Sequence, residues 1–498
     1  MLNTMLAEPE QAQDAPVRSG WILAVVTGLA SGWLAGVLLP RGPVTEAGAI
    51  ALLAGAAAAG AVAGLAARSR WALLVVPLVH LAASEAARWG QPGPTAGPVR
   101  LDTSLGWLAF LLGRVLPGLL VVLPMLVGAA WGAGLRRPGG RRRGGTVALV
   151  AAATSLVLLA GALAWPASSA PVTGTDGRRL PGSVSELVPV QLGGHEQWLQ
   201  VRGASADLPI LLYLSGGPGQ SDLAFSRVLL EDLTSDFLVV GWDQRGTGKS
   251  YPALDPGSLT LDRAVADVVE LAGHLQQRYG SDKVVLLGES WGSLLAVLAA
   301  QAAPGRFTAV VTSGQMVDPL ETDQRIYADL LAHAERTGNG PLADDLRRFG
   351  EPPYADPLTY GFVMFHYGLL EGGYTPPRSY RERAERGGVG PLGVFGQEYS
   401  AVEKVNVLRG LMDMFAVLYP QLQQVDLRRS ATRLQVPVYV MCGDHELAAR
   451  TAPARQWFDA LDAPRKRWYQ LPDAGHSVAF EQAGELRRIL GRDVLGGR

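Results

Sequence analysis

Two kinds of hydrophobic pattern run along this chain, and they divide it near residue 166. Before that point the apolar residues come in long blocks. Residues 20–40 hold no charge and are nearly all apolar or small, 47–67 are almost pure Ala, Gly, Leu and Val, and 145–165 again hold no charge. Residues 105–135 are apolar except for Arg114. Residues 71–84 are interrupted by His80 and reach spanning length only by taking in Glu85 and Arg88. A helix that crosses a bilayer needs about 20 mainly apolar residues. A helix of a soluble bundle shows a polar face, and the first, second and last blocks show none. Five membrane spans are therefore expected within residues 1–165.

Beyond residue 183 the pattern shortens. Glu186 to Leu192 and Gln197 to Arg202 flank Gly193-Gly194, which signals a hairpin. Short continuous apolar runs follow at Ile210–Leu214, Phe237–Val240, Val284–Leu287, Ala309–Val311 and Val436–Val440. Such runs suit parallel strands buried on both faces. Helical stretches such as Leu261 to Tyr279 lie between them, so an α/β sheet with right-handed crossovers is expected. Between residues 316 and 430 the sequence turns helical and loop-rich, which reads as a cap inserted between two core strands. The expected organisation is a membrane region at 1–165, a Pro/Ser/Gly-containing tether at 166–182, an α/β core at 183–315 and 431–498, and a helical cap at 316–430.

Composition narrows the function classes. The 498 residues carry a net charge of −1, with no basic excess that would mark a nucleic-acid binder. Cys442 is the single cysteine, so no internal disulfide can form. The first apolar block does not read as a cleaved signal peptide. Glu8, Glu10 and Asp14 precede it, Arg18 is the one positive side chain there, and further hydrophobic segments follow. Basic residues cluster between blocks, Arg68 and Arg70 after the second, and Arg136, Arg137, Arg141, Arg142 and Arg143 after the fourth. A five-span arrangement puts both clusters on one face, and basic loops stay cytoplasmic. The N-terminus is then inside, and the domain after Trp165 is extracytoplasmic.

The chemistry centres on Gly288-Glu289-Ser290-Trp291-Gly292-Ser293, which ends the run Val284–Leu287 and passes directly into the helix former Leu294–Ala300. A serine on such a strand-to-helix turn is held exposed above a parallel sheet, so Ser290 is a candidate nucleophile. It needs a base, and the base needs an acid to orient it. In this arrangement the chain order is serine, acid, histidine. His476, in the late loop Leu471–Ser477, fits the base. His333 lies in a helical run and His366 among aromatics, which suits a surface and a packing role. The acid should follow the strand Val436–Met441, where Cys442-Gly443-Asp444-His445-Glu446 offers two carboxylates. Glu446, three residues after Gly443, is favoured, with Asp444 the alternative. Ser215-Gly216-Gly217-Pro218-Gly219 is either a plain turn or a loop whose N–H groups face a developing oxyanion. Asp243 to Ser250 ends in Gly-Lys-Ser, but Asp243 stands where a nucleotide-binding loop needs glycine. It reads as a structural loop tied by Asp243 and Arg245.

Over residues 183–490 these three motifs together resemble the α/β-hydrolase superfamily, and within it the proline iminopeptidase-like serine hydrolases. Those typically show H-G-G-P-G, D-Q-R-G-x-G-x-S and G-G-S-W-G-S. The resemblance implies an α/β-hydrolase fold with Ser290 as nucleophile, His476 as base and Glu446 as acid. It places the oxyanion in contact with the N–H groups of Trp291 and Gly217, with an acyl-enzyme and no metal or organic cofactor. Enzymes of this kind bind the substrate amine with acidic cap residues, which makes Glu398 a candidate. Glu289, in place of glycine beside the nucleophile, is a second. Ser215 replaces the usual histidine. The fused membrane region is not part of the usual soluble enzyme. The expected protein is a membrane-anchored serine hydrolase that removes an N-terminal residue, proline among the candidates, from short peptides. The expected partners are a small peptide or ester and the lipid bilayer. Ester or lipid hydrolysis by the same triad is the alternative, and a non-catalytic membrane-bound binding module the second.

Overall fold

The computed structural model describes residues 11–69, 71–135, 143–174, 176–390 and 393–496. The chain divides principally into two compact units, one ending at Pro166 and one beginning at Ala167.

The first unit is all helical: α1 (Gln11–Leu38), α2 (Glu46–Ala67), α3 (Ala72–Ala87), α4 (Ser104–Phe110), α5 (Leu116–Leu135) and α6 (Arg143–Leu163). Among the described residues four helical stretches are long and apolar enough to cross a membrane: Arg18–Leu38, Glu46–Ala67, Ser104–Gly134 and Thr146–Leu163. The third expected span forms a helix of 16 residues, shorter than the others, with Pro77 inside it. Large apolar side chains point outward on these helices. Ile22, Leu34, Val157 and Leu158 are each more than half exposed, an arrangement soluble proteins avoid over large areas.

Small residues set the packing within this unit. A Cβ added at Gly60 or Gly64 of α2 would lie 2.1 Å from Met125 O or 2.2 Å from Ala129 O of α5. Conversely, one at Gly128 or Gly132 of α5 would lie 2.0 Å from Ala57 O or 2.2 Å from Ala61 O. Both sequences are small-xxx-small, the spacing that lets apolar helices approach backbone to backbone. The matched order of contacts makes α2 and α5 parallel. Gly28, Gly32 and Gly36 of α1 likewise meet Val76, His80 and Ser84 in order, so α1 and α3 are parallel. The polar interruptions are partnered: His80 Nδ1 lies 2.9 Å from Ser31 Oγ, and Arg114 donates to the carbonyls of Thr95, Ala96 and Gly97. Arg70, Arg136, Arg137, Arg141 and Arg142 of the basic clusters lie outside the described residues, as do Glu8 and Glu10.

The second unit is built on one eight-stranded sheet in the order β1-β2-β4-β3-β5-β6-β7-β8. The strands are β1 (Val184–Leu192), β2 (His195–Gly203), β3 (Ile210–Leu214), β4 (Leu238–Asp243), β5 (Val284–Glu289), β6 (Phe307–Ser313), β7 (Val438–Gly443) and β8 (Lys466–Leu471). β1, β2 and β4 pair antiparallel, and the strands from β4 through β8 pair parallel. The central strands β3, β4, β5 and β7 are buried at every residue, as their unbroken apolar sequences require. β8 is the strand the sequence pattern missed. It reads Lys-Arg-Trp-Tyr-Gln-Leu and sits at the sheet edge, where only Tyr469 and Leu471 are buried.

Helices cover both faces. α7 (Leu223–Leu229), α8 (Leu261–Tyr279) and α9 (Trp291–Ala302) follow β3, β4 and β5. α8 buries Ala264, Asp267, Val268, Leu271, Ala272 and Leu275 on one face, the spacing of an amphipathic helix. Thr260 caps its N-terminus by accepting from Arg263 N, and Gly280 ends it in the left-handed region. Between β6 and β7 come α10 (Pro319–Thr337), α11 (Gly340–Phe349), α12 (Pro357–Phe365), α13 (Arg378–Gly387), α14 (Ala401–Leu422) and α15 (Leu427–Ser430). α16 (Ala448–Ala460) follows β7, and α17 (Val478–Glu481) and α18 (Ala483–Ile489) follow β8. The segment after Ala167, expected as a Pro/Ser/Gly-containing tether, is bonded to this unit. Ser168 N bonds Gln397 O at 2.9 Å, and Arg202 donates to the carbonyls of Ala170 and Pro171.

Candidate active site

In open parallel sheets, ligands bind beyond the carboxyl ends of the strands. Four loops leave those ends with the candidate residues: Gly217 after β3, Ser290 after β5, Glu446 after β7 and His476 after β8.

Ser290 sits at φ 52° and ψ −116°, a conformation that costs a non-glycine residue of order 1–3 kcal/mol and that surrounding contacts must enforce. The flanking glycines allow it. A Cβ at Gly288 would lie 2.3 Å from Gly292 O, and one at Gly292 would lie 2.0 Å from Leu214 O. The turn is braced from below: Ser293 Oγ donates to Ser290 O at 2.5 Å and accepts from Met316 N at 2.9 Å. Trp291 is the first residue of α9, so its N–H has no intrahelical acceptor.

Gln244 joins this turn to the glycine loop. Its Oε1 accepts from the Trp291 indole at 2.9 Å, and its Nε2 donates to Ser215 O and Ser215 Oγ at 3.2 and 3.1 Å. Ser215 thus takes a bracing role in place of a histidine. Asp243 and Arg245 do tie their loop, though through separate partners. Asp243 accepts from Lys249 N and the Tyr399 hydroxyl, and Arg245 pairs with Asp267 at 3.1 Å.

His476 Nδ1 is hydrogen-bonded to Glu446 Oε2. Glu446 Oε1 accepts from Arg450 Nη1 at 3.0 Å and from Leu447 N at 2.9 Å. Burial of Glu446 opposes its ionisation, but His476 and Arg450 outweigh it and hold the carboxyl down at about 2. Asp444, the alternative acid, is exposed. The imidazole lies against Gly314 at φ 59°, where a Cβ would fall 2.7 Å from His476 Cε1. His445 stacks on Tyr374, and His366 packs against Phe362 with the rings tilted by 48°, so neither joins the site.

Gly217, Ser290 and His476 open onto one cavity of about 210 Å³. Met316, Met364, Tyr367 and Tyr419 give it an apolar wall, with Asp323 and Arg450 as charged groups. Asp323 is 3% exposed and accepts from the Tyr419 hydroxyl at 2.8 Å and Gln423 Nε2 at 3.2 Å. Burial pushes its carboxyl up to about 7 against those bonds. Asp323, Arg450 and Gln244 were not singled out from sequence; the one available signal for Asp323 is its place on the first cap helix.

Two expected amine-binding residues lie elsewhere. Glu398 is fully buried, ion-paired to Arg227 and bonded by Gln200. Its charge is consumed within the core, and it does not line the cavity. Glu289 also points away from the cavity, toward Ser477 and Tyr213, because alternate residues at a strand end face opposite sides of the sheet.

Residues 209–360 match the family model described as the alpha/beta hydrolase fold. The chain is 27% identical over 311 residues to a probable aminopeptidase of Bacillus subtilis (strain 168), covering 62% of this chain and 96% of that protein. It is 32% identical over 135 residues to a proline iminopeptidase of Heyndrickxia coagulans, covering 27% of this chain and 44% of the relative. Among solved structures, a proline iminopeptidase-related protein of Thermus thermophilus aligns at 22% identity with a TM-score of 0.43, covering 63% and 98% of the two chains.

Proposed function

From the α/β-hydrolase fold that this chain carries, we propose that it is a membrane-anchored serine aminopeptidase that cleaves short peptides through an acyl-enzyme. The observation that carries the mechanism is the bond between His476 and Glu446 beside a cavity shared with Ser290. With the Nδ1 proton directed to Glu446, Nε2 is free to take the Ser290 proton as Oγ bonds to the substrate carbonyl carbon. The developing oxyanion meets the N–H groups of Trp291 and Gly217. The imidazolium then protonates the leaving nitrogen as the C–N bond breaks, and water repeats the sequence to free the acid.

Peptidase rather than esterase activity is supported by similarity to an aminopeptidase over most of that protein's length, and by the cavity's carboxylate. Asp323 accepts the substrate's ammonium in this reading, and the apolar wall takes the first side chain. Membrane anchoring is supported by the apolar helices of the first unit. The parallel courses of α1 with α3 and of α2 with α5 support an odd number of passes, and the rule that basic loops stay cytoplasmic then favours a domain outside the cell.

A substrate panel tests the reading. Aminoacyl arylamides with a free amine, proline included, should be cleaved, and N-acylated counterparts should not. Ser290→Ala should abolish turnover and labelling by a fluorophosphonate probe. Turnover of acyl esters alone would replace the peptidase reading, and no labelling of the wild type would remove catalysis. Digestion of the second unit by protease added to intact cells tests the orientation; full protection would reverse it.

A further inference from the structure

Glu289 precedes the proposed nucleophile, yet its side chain is 5% exposed and turned away from the cavity. It ends a chain of hydrogen-bonded oxygens. Ser477 Oγ, next to His476, donates to Glu289 Oε1 at 2.7 Å. Glu289 Oε2 lies 3.3 Å from the Tyr213 hydroxyl, and that hydroxyl lies 2.8 Å from Asp222 Oδ2. Gln220 Nε2 donates to Asp222 Oδ1 at 2.8 Å.

The protons along this chain can be counted. A phenol carries one. Given to Asp222 over the shorter contact, it leaves the Tyr213 oxygen facing Glu289 Oε2 with nothing between them. Two oxygens at that distance attract only if one brings a proton, and the remaining source is the Glu289 carboxyl. The ionisable groups around Glu289 point the same way. They are Tyr213 on β3, Asp222 in the loop after it, Tyr380 on α13, Glu481 on α17 and His476 in the base loop. None of these is a lysine or arginine, so an anion here would be buried beside Asp222 without a permanent counter-charge, a costly arrangement.

We infer that Glu289 works as a neutral carboxylic acid that fastens the turn of Ser290 to the loop of His476, donating to Tyr213 and accepting from Ser477. It is a positioning residue, acting through the two loops it joins. Burial, and then the charge of Asp222, push its carboxyl up to about 8, so the fastening holds at neutral pH and releases above it. Once ionised, Glu289 is repelled by Asp222 and sets a negative charge behind a site that must itself build an oxyanion.

This inference rests on Ser290 and His476 acting as proposed above. The test is the pH dependence of Ser290 labelling by a fluorophosphonate, which has no amine of its own to titrate, on the full-length protein in detergent. The wild-type labelling rate should fall roughly tenfold between pH 7 and 9, as titration near 8 requires. Glu289→Gln, which keeps both a donor and an acceptor, should fall less than twofold over that range. Asp222→Asn should move the fall to lower pH, because Glu289 ionises more easily once the neighbouring negative charge is gone; this shift reads the same titration should Glu289→Gln fold poorly, and a shift to higher pH would count against it. A wild-type rate that stays flat, or a fall unchanged in both variants, overturns the inference. Labelling that survives Ser290→Ala, or none in the wild type, takes down the serine mechanism and this inference with it.

Discussion

Arg450 Nη1 donates to Glu446 Oε1 at 3.0 Å, the carboxylate oxygen that His476 leaves unused. Arg450 also lies over the Tyr367 ring, 4.9 Å from its centroid, and both residues line the cavity. A glutamate has one more rotatable bond than an aspartate, so a second anchor on its carboxylate matters for aiming it. The arginine supplies that anchor from one turn further along the chain.

Arg450→Met should therefore misalign the base. We expect kcat to fall at least about tenfold, with melting lowered by the roughly 3–5 kcal/mol that breaking a buried pair costs. The pH dependence gives a second readout. The folded carboxyl at about 2 lies below its ordinary 4.5, so the ionised pair adds stability above that ordinary value and loses it as pH falls toward 2. In the variant, whose folded carboxyl lies closer to 4.5, that loss should be smaller and end at higher pH, which melting curves between pH 3 and 7 would show as a weaker acid dependence. Unchanged curves would exclude the anchoring role.

The two carboxylates after β7 should separate cleanly. Glu446→Gln removes the anion that His476 bonds and should lower kcat by two orders of magnitude or more, as loss of a triad acid does elsewhere. Asp444→Ala, at an exposed position, should stay within about threefold of wild type. Steady-state kinetics of both would reverse the assignment if the larger loss fell on Asp444.

Asp323→Asn should raise KM for free-amine substrates roughly tenfold or more, since a charge-assisted bond is lost, with little change for amine-free labelling of Ser290. With its carboxyl near 7, Asp323 ionises as pH rises through that value, while peptide amines stay protonated up to about 8. Binding should thus be tightest between those limits in the wild type and lose its lower limb in the variant. An unchanged KM would send the search for the amine site elsewhere.

Gly132→Leu should disrupt the α2–α5 crossing, because even a Cβ there would meet Ala61 O at 2.2 Å. We expect lower detergent-extracted yield and melting, whereas Gly161→Leu on α6, with nothing within 4 Å of its Cβ position, should be tolerated. Equal behaviour of the two would argue against the close crossing.

Much of this protein is legible in its sequence because the signals are local. Parallel strands buried on both faces need unbroken apolar runs, and those runs, with the hairpin signal before them, located seven of the eight strands. The strand-to-helix serine turn depends on glycines next to it in sequence, so Ser290 could be read directly. The order of loops around a sheet preserves chain order, which brought His476 and Glu446 into view. β8 escaped because an edge strand buries one face only and shows no continuous run. What the sequence left open depended on side-chain direction. The family resemblance makes Glu398 a candidate for the substrate amine, and its place beside Ser290 makes Glu289 a second, yet neither lines the cavity. The fold turns one toward Ser477 and pairs the other with Arg227, since a buried charge is stable only where a partner meets it. Asp323 and Arg450 reach the cavity from helices that follow β6 and β7, and no local pattern announces that meeting. The sequence determined the architecture and the strand-to-helix turn that carries Ser290, because both follow from neighbours along the chain. Which carboxylates line the cavity, and which are paired away from it, was decided only by tertiary packing, which joins partners far apart along the chain.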